Sequence, residues 1–371
     1  MTRDVLESGY RGTRVLVTGD TGFKGSWLCL WLQLLGAEVT GFALPASNSR
    51  DHFAAVGLAE LIRHIDGDIR DLDALQNAFS ESRPTIVFHL AAQPLVRLSY
   101  EQPKLTLDTN IGGSTNLLEC VRTSPSVRAL IYVTSDKCYR NRDWVWGYRE
   151  NDELGGHDPY SASKAAAELL FSSYFESFFR YRSGFGAASA RSGNVIGGGD
   201  WSKDRIVPDC IASLLHGEGL KLRNPRSVRP WQHVLEPLRG YLMLGIRLLD
   251  DPQTFSGAWN FGPREDSMRS VLDLATRILD YWGSGQIMLA SGDGPHEARL
   301  LQLNCDKANQ LLQWSPTWSF DRTVKETVHW YRETISEKSP RKISQSQIEC
   351  YFEEASDDRR SVSHAVATDP R

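Results

Sequence analysis

Apolar and polar positions alternate along the chain in blocks that repeat. Residues 14–18, Arg14-Val15-Leu16-Val17-Thr18, form a short β-branched run that predicts a buried strand. Residues 26–35 carry Trp27, Leu28, Leu30, Trp31, Leu34 and Leu35 and predict a helix that Gly36 terminates. Further strands are expected over 38–43, 61–65, 85–90, 129–133 and 186–191, and helices over 71–80, 109–122 and 161–179. The strands are apolar almost throughout, which is the pattern of strands covered on both faces. Strand and helix in regular succession predict an α/β fold, a Rossmann-type doubly wound parallel sheet.

The pattern changes after Asn194, where glycines, prolines and tryptophans punctuate shorter elements. A smaller C-terminal α/β domain for the substrate is expected there, built around 205–216, 270–282 and 321–334. The division is therefore 1–193 for the first domain, with a segment near 230–262 returning to it, and 194–336 for the second. Residues 337–371 read as a polar tail, helical over part of 343–354 and disordered from Ser356.

The net charge is -4 and no long basic run occurs, which argues against nucleic acid as a partner. No apolar run approaches the ~20 residues of a membrane span, and the acidic, polar start is not a signal peptide. The six cysteines form no C-x-x-C pair, which suits free thiols in a reducing cytoplasm.

Gly19, Gly22 and Gly25 stand between the first strand and the first helix with G-x-x-G-x-x-G spacing. Glycine there permits a sharp turn, lets a pyrophosphate approach the backbone, and allows close helix packing, while the helix N-terminus offers free N–H groups. This predicts a dinucleotide site and makes 1–193 the dinucleotide-binding domain. The acid that usually meets the adenosine ribose, about 20 residues past the glycines, is replaced by Gly41-Phe42-Ala43-Leu44. Arg50 is near enough in sequence to meet a 2′-phosphate, so the residues alone leave NAD and NADP both open. Asp68 has two readings, a contact to the adenine amino group or a cap for the helix that follows.

Tyr160 and Lys164 form Y-x-x-x-K at the start of a helix, four residues apart and on one face. A phenol titrates near about 10, and lowering that by ~3 units takes ~4 kcal/mol from nearby positive charge. Ser135, Asp136 and Lys137 stand at the end of the fifth strand, the edge where ligands bind in parallel sheets.

The blocks 19–27, 89–97, 134–139, 146–150, 193–201, 229–234 and 295–298 together resemble the extended short-chain dehydrogenase/reductase family, over about Arg14 to Trp330. Within it the likeness is to nucleotide-sugar 4,6-dehydratases. Lys137 resembles the CDP-glucose branch, since the dTDP- and GDP-sugar branches carry glutamate there. The resemblance implies NAD as cofactor, a nucleotide-diphospho-sugar as substrate, and a homodimer or homotetramer. The implied reaction oxidises C4, loses water across C5 and C6, and returns hydride to C6.

By the same resemblance, Tyr160 is the C4 base, Lys164 its partner, Ser135 the polariser of the C4 oxygen, and Asp136 the acid for the C6 hydroxyl. Lys137 occupies the slot of the C5 base. Gly19, Thr21, Gly22, Phe23, Lys24 and Gly25 would line the pyrophosphate. Asp68, Ile69, Leu90, Ala91, Ala92, Thr109 and Thr134 would line the rest of the dinucleotide. Gln93, Arg97 and Asn194 would face the sugar diphosphate, Arg205, Arg223 and Arg229 would neutralise it, and His296 with Glu297 would close the nucleotide end. No metal is expected, because His296 has no second ligand at a suitable spacing.

Three positions depart from the family pattern: Asp20 in the glycine loop, where an anion beside the pyrophosphate would oppose cofactor binding, Ser192, and the stretch 292–294. Two other readings use the same residues. A 4-epimerase or reductase would need the cradle and Tyr160 but not Asp136 and Lys137. A non-catalytic dinucleotide sensor would have no need of Tyr160 and Lys164.

Overall fold

The computed structural model describes residues 1–222, 224–289 and 301–366, without the side chains of Glu265 and 356–366. A seven-stranded sheet forms its centre. Its strands are β1 (Arg14–Thr18), β2 (Glu38–Ala43), β3 (Arg63–Asp66), β4 (Ile86–His89), β5 (Ala129–Val133), β6 (Gly186–Arg191) and β7 (Gly257–Asn260). They lie in the order 3-2-1-4-5-6-7 and every neighbouring pair is parallel. The order reverses between β1 and β4, which creates a crevice at the carboxyl end of the sheet.

Alternation along each strand divides the core. Val15 and Val17 pack on one face with the helices Phe23–Leu34 and Leu235–Asp250. Leu16, Val87 and Tyr132 pack on the other with the helices Leu72–Ser82, Ser114–Thr123 and Pro159–Ser177. This is the doubly wound arrangement expected from the apolar strands. The edge strand β7 comes from far along the chain and pairs with β6 from Gly257↔Ala188 to Asn260↔Arg191.

Helix Phe23–Leu34 begins three residues before the expected start, because the glycine loop closes quickly into its first turn. The expected helix of 109–122 opens as a wide π-type turn over Asp108–Gly113 and continues as Ser114–Thr123. A Cβ on Gly113 would lie 2.6 Å from the Ile69 side chain, so this turn closes tightly on the end of β3.

Beyond Asn194 the chain forms the helices Ile206–Leu215, Val271–Trp282 and Phe320–Ile335 with three two-stranded pairs, including Leu220–Leu222 against Ile287–Leu289. A helix over Pro340–Val366 then returns to pack against the helix Phe23–Leu34. It is longer than the 343–354 segment expected from sequence, and its backbone extends past Ser356, where disorder was expected to begin, as far as Val366. Ile348, Tyr351 and Phe352 are buried, with Tyr351 and Phe352 edge-on to Trp31 at 5.8 and 5.1 Å. His52 secures the same junction. Its ring stacks on Trp27 at 4.4 Å and makes hydrogen-bond contacts to Ser26 Oγ and Ser344 Oγ, both at 3.0 Å. Among the described residues, no helix is long and apolar enough to cross a membrane.

Candidate active site

The crevice at the carboxyl ends of β1, β4, β5 and β6 is a cleft of 1310 Å³. A drug-sized ligand fills about 300–1,000 Å³, so this cleft has room for a dinucleotide and a second ligand side by side.

The glycine loop forms one wall. Gly19 has φ +80°, and a Cβ there would stand 2.7 Å from the Ala91 backbone nitrogen. A Cβ on Gly25 would stand 2.0 Å from the Gly19 carbonyl oxygen. Both positions therefore exclude any side chain. No side chain caps the helix that starts at Phe23, so its first N–H groups face the cleft. A bare backbone cradle before an uncapped helix suits a pyrophosphate. Thr21, Gly22, Phe23 and Lys24 line the same wall. Asp68, Ile69, Leu90, Ala91, Ala92 and Thr109 continue it.

Asp20 does not stand beside the pyrophosphate wall. Its side chain is fully buried and turns beneath β2, where a Cβ on Gly41 would strike its Oδ2 at 2.0 Å. Oδ2 meets His64 Nδ1 at 2.7 Å, and the second nitrogen of His64 meets Asp66 at 3.1 Å. Burial raises the Asp20 carboxyl against the opposing hydrogen bond from His64. The hydrogen bond to Asp20 raises His64. Asp68 is not the cap of the next helix. Asp71 takes that role, accepting from Ala74 N at 3.0 Å, while Asp68 pairs with Arg70. Arg50 stacks its guanidinium over Trp201 at 4.4 Å and does not line the cleft.

The opposite wall brings together the residues expected to carry chemistry. Thr134, Ser135, Asp136 and Lys137 leave the end of β5, and Tyr160 and Lys164 face them from the first turns of Pro159–Ser177. Asp158 caps that helix, accepting from Ser161 N at 2.9 Å, which fixes where Tyr160 enters. Ser135 Oγ donates to Asp136 Oδ1 at 2.9 Å. Asn194, held at φ +51°, reaches Asp136 Oδ2 at 3.5 Å, and a Cβ on Gly193 would lie 1.9 Å from that carboxylate.

Tyr160 is buried, and burial pushes its phenol up to about 12, with Ser135 and Arg205 acting in the opposite direction. The protein's own charges therefore leave it protonated at neutral pH. Lys164 Nζ lies 5.9 Å from the Tyr160 ring centre, and burial lowers it to about 8 against the influence of Cys138 and Glu168. Lys24 is lowered to about 7 by burial, with Asp136 raising it and Arg205 and Lys164 lowering it.

The substrate-facing residues are distributed unevenly. Arg205 lines the cleft and pairs with Asp200 at 2.8 Å. Arg97 pairs with Asp204 at 3.0 Å at the rim, and Arg229 lines the same side. Gln93 also borders the cleft, but its amide is used within the turn, donating to Leu95 O and Thr106 Oγ1 and accepting from Leu95 N. Arg223, His296 and Glu297 lie outside the described residues.

Sequence reasoning passed over Asn110, which accepts from Gln93 N at 2.7 Å and donates to Ser163 Oγ at 2.9 Å, tying the β4 loop to the Tyr160 helix. Its place beside Gly112-Gly113 inside an otherwise apolar helical run was the available signal. Tyr241 was also missed. Its hydroxyl meets Ser192 Oγ at 2.7 Å behind the cleft.

A parallel sheet with a glycine cradle at its switch point and a Tyr–Lys pair across the cleft defines a dinucleotide-dependent enzyme of the Rossmann type. The chain belongs to the GDP-mannose 4,6 dehydratase family, whose model matches residues 16–256. It is similar to the CDP-glucose 4,6-dehydratase of Salmonella typhimurium, 48% identical over 348 residues, covering 92% of this chain and 97% of that protein. Among solved structures, a double mutant of the dTDP-glucose 4,6-dehydratase DesIV of Streptomyces venezuelae, with NAD bound, is 26% identical with a TM-score of 0.74, covering 88% of this chain and 99% of that one. The epimerase Mth375 of Methanothermobacter thermautotrophicus is 25% identical with a TM-score of 0.78, covering 90% and 96%.

Proposed function

We propose that this chain is an NAD-dependent 4,6-dehydratase of CDP-glucose, yielding CDP-4-keto-6-deoxyglucose. The observation that carries this reading is the placement of Ser135, Asp136 and Lys137 opposite Tyr160 and Lys164 in the cleft that holds the glycine cradle. The 48% identity to a CDP-glucose 4,6-dehydratase supports the choice of substrate. An epimerase or reductase has no use for an acid and a second base at that edge.

NAD, when bound, would supply the positively charged nicotinamide that takes a hydride from C4 and gives it back at C6. Gly19, Gly22 and Gly25 would hold its pyrophosphate against the uncapped helix. Asp68 and Ile69 would face the adenine side, and Ala91, Ala92 and Thr134 the nicotinamide side. Tyr160 would accept the proton of the C4 hydroxyl and Ser135 would hydrogen-bond the same oxygen. Once C4 is a ketone, the C5 proton is acidic and Lys137, in its neutral form, would remove it. Asp136, steadied by Ser135 and Asn194, would protonate the departing C6 hydroxyl. Arg205 and Arg229 would meet the diphosphate, where guanidinium geometry suits paired oxygens.

Burial of Tyr160 leaves work for the nicotinamide charge. The phenol needs a nearby cation before it can act as a base near neutrality, and a fixed charge in a dry cleft is effective at short range. We also infer a cytoplasmic homodimer, with the Ser114–Thr123 and Pro159–Ser177 helices pairing across a two-fold axis. The 61% exposure of Leu169 on the second helix supports this pairing.

The test is incubation with CDP-, dTDP- and GDP-glucose carrying deuterium at C4. A 4-keto-6-deoxy product from CDP-glucose, with deuterium at C6, is the expected result. Deuterium retained at C4 in an epimerised sugar, or no turnover of any of the three, would overturn the reading.

A further inference from the structure

Behind the cleft lies a buried ion pair to which the proposed chemistry assigns no role. Glu168 falls two turns beyond Tyr160 and one turn beyond Lys164, on the same face of the Pro159–Ser177 helix. Its carboxylate accepts from Arg191 Nη2 at 2.7 Å and from Ser189 Oγ at 2.8 Å, both on β6. The other oxygen accepts a close hydrogen bond from Thr134 Oγ1, one residue before Ser135. Arg191 continues the network, donating to Tyr139 OH at 2.6 Å and to the Glu150 carbonyl at 2.9 Å. Tyr139 in turn donates to Asn260 Oδ1 on β7 at 2.8 Å.

We propose that Glu168, clamped by Arg191, is a positioning residue that sets the register of the Tyr160 helix against the ends of β5 and β6 and holds Lys164 in its protonated form. The inference rests on the proposed function for the roles of Tyr160 and Lys164. Three segments that carry chemistry meet on this one carboxylate: the end of β5, the end of β6 and the helix itself. A pair that only filled the core would be replaceable by apolar side chains of similar volume at little cost. Here the hydroxyls of Thr134 and Ser189 would then lose their acceptor.

The charge matters as well as the geometry. Lys164 is faced by Tyr160 and Glu168 on its own helix, by Cys138 from the turn after β5, by His89 from β4 and by Lys24 from the glycine loop. Burial drives Cys138 well above the usual thiol range and His89 down to about 3, so both are neutral near pH 7. Lys24 is a cation or neutral. Glu168, one turn along the helix, acts on Lys164 against the effect of burial.

The test reads Lys164 directly. Its acylation by acetic anhydride is followed against pH by peptide mass spectrometry, on protein without substrate, because only the neutral amine reacts. In Glu168→Gln the midpoint is expected to fall by about one pH unit, and Glu168→Asp is expected to restore it. The double variant Glu168→Gln/Arg191→Met carries no unpaired buried charge and is expected to show a fall of the same sign, smaller because the Arg191 cation goes too, which covers the case in which the single variant does not fold. In turnover of CDP-glucose, the alkaline limb of kcat should move with the midpoint while KM changes little. An unmoved midpoint in the folded variant, with activity reduced equally at every pH, would overturn the proposal. Absence of turnover in the unaltered enzyme would instead sink the proposed function and leave the labelling result standing.

Discussion

Lys24 donates to the hydroxyl of Ser192 at 2.8 Å, joining the glycine loop to the segment that follows β6. Ser192 also meets Tyr241, so an amine, a hydroxyl and a phenol form one line running from the cleft wall inward. In the sequence Ser192 stands out only as a departure from the family pattern before Gly193. Its role in the fold is to receive Lys24.

Burial sets Lys24 at about 7, so its charge changes close to neutral pH. The protonated form favours a bound pyrophosphate. NAD affinity is therefore expected to weaken from pH 6 to pH 8, by up to about tenfold. Fluorescence titration should show this slope in the unaltered protein and a flat response in Lys24→Met.

Asp136→Asn removes the acid beside Ser135 but leaves the glycine cradle untouched. Product formation should slow by about 100- to 10,000-fold, with NAD affinity unchanged. Tyr160→Phe should slow it comparably. Loss of cofactor affinity along with activity in Asp136→Asn would place that residue in the wrong half of the cleft.

The Asp20–His64 pair makes a statement about stability. His64 is raised, so its contribution is full below its ordinary value of about 6.5 and is lost as pH climbs through the raised one. Asp20 is raised by burial, so its ionisation acts against the fold as pH climbs from the ordinary carboxylate range through the raised value. Thermal unfolding at pH 6 and pH 8 should therefore show a fall in Tm that Asp20→Asn reduces by about 1–2 °C. An identical fall in both proteins would show that the pair does not titrate in this range.

Glu236 is buried beneath the helix Pro340–Val366 and accepts from Tyr351 OH at 2.5 Å and from the backbone nitrogen of Trp318 at 2.7 Å. Tyr351→Phe takes one donor from a buried carboxylate and should cost about 1–3 kcal/mol in urea unfolding. Tyr351→Ala adds a cavity and should cost about 3–5 kcal/mol.

These sites differ in how far they can be read from the chain. The strands β1, β4 and β5 are legible because runs such as Ile86–His89 have no polar side to expose. The cradle is legible because glycine at 19 and 25 answers a local steric demand. Asp20 is not, since its direction is decided by Gly41 and His64 on neighbouring strands. Gln93 was read as a ligand contact, but its amide is consumed by Thr106, which no spacing rule foretells. Glu168 reads as an ordinary polar helix position until β6 supplies Arg191. The helix Pro340–Val366 was underestimated because its few apolar residues gain meaning only from their partner. That partner, Trp27 to Leu32, is apolar all round and so needs a cover on its outer side as well.

The contact between His52 and Ser344 spans 292 residues of chain. Closing so long a loop is entropically costly, and contacts of this kind form late in folding. Until it closes, the tryptophan-rich flank of the helix Phe23–Leu34 stays in water, and a nascent polypeptide halted near residue 193 would carry that adhesive surface. An amino-terminal fragment expressed without the carboxy-terminal half is therefore expected to aggregate.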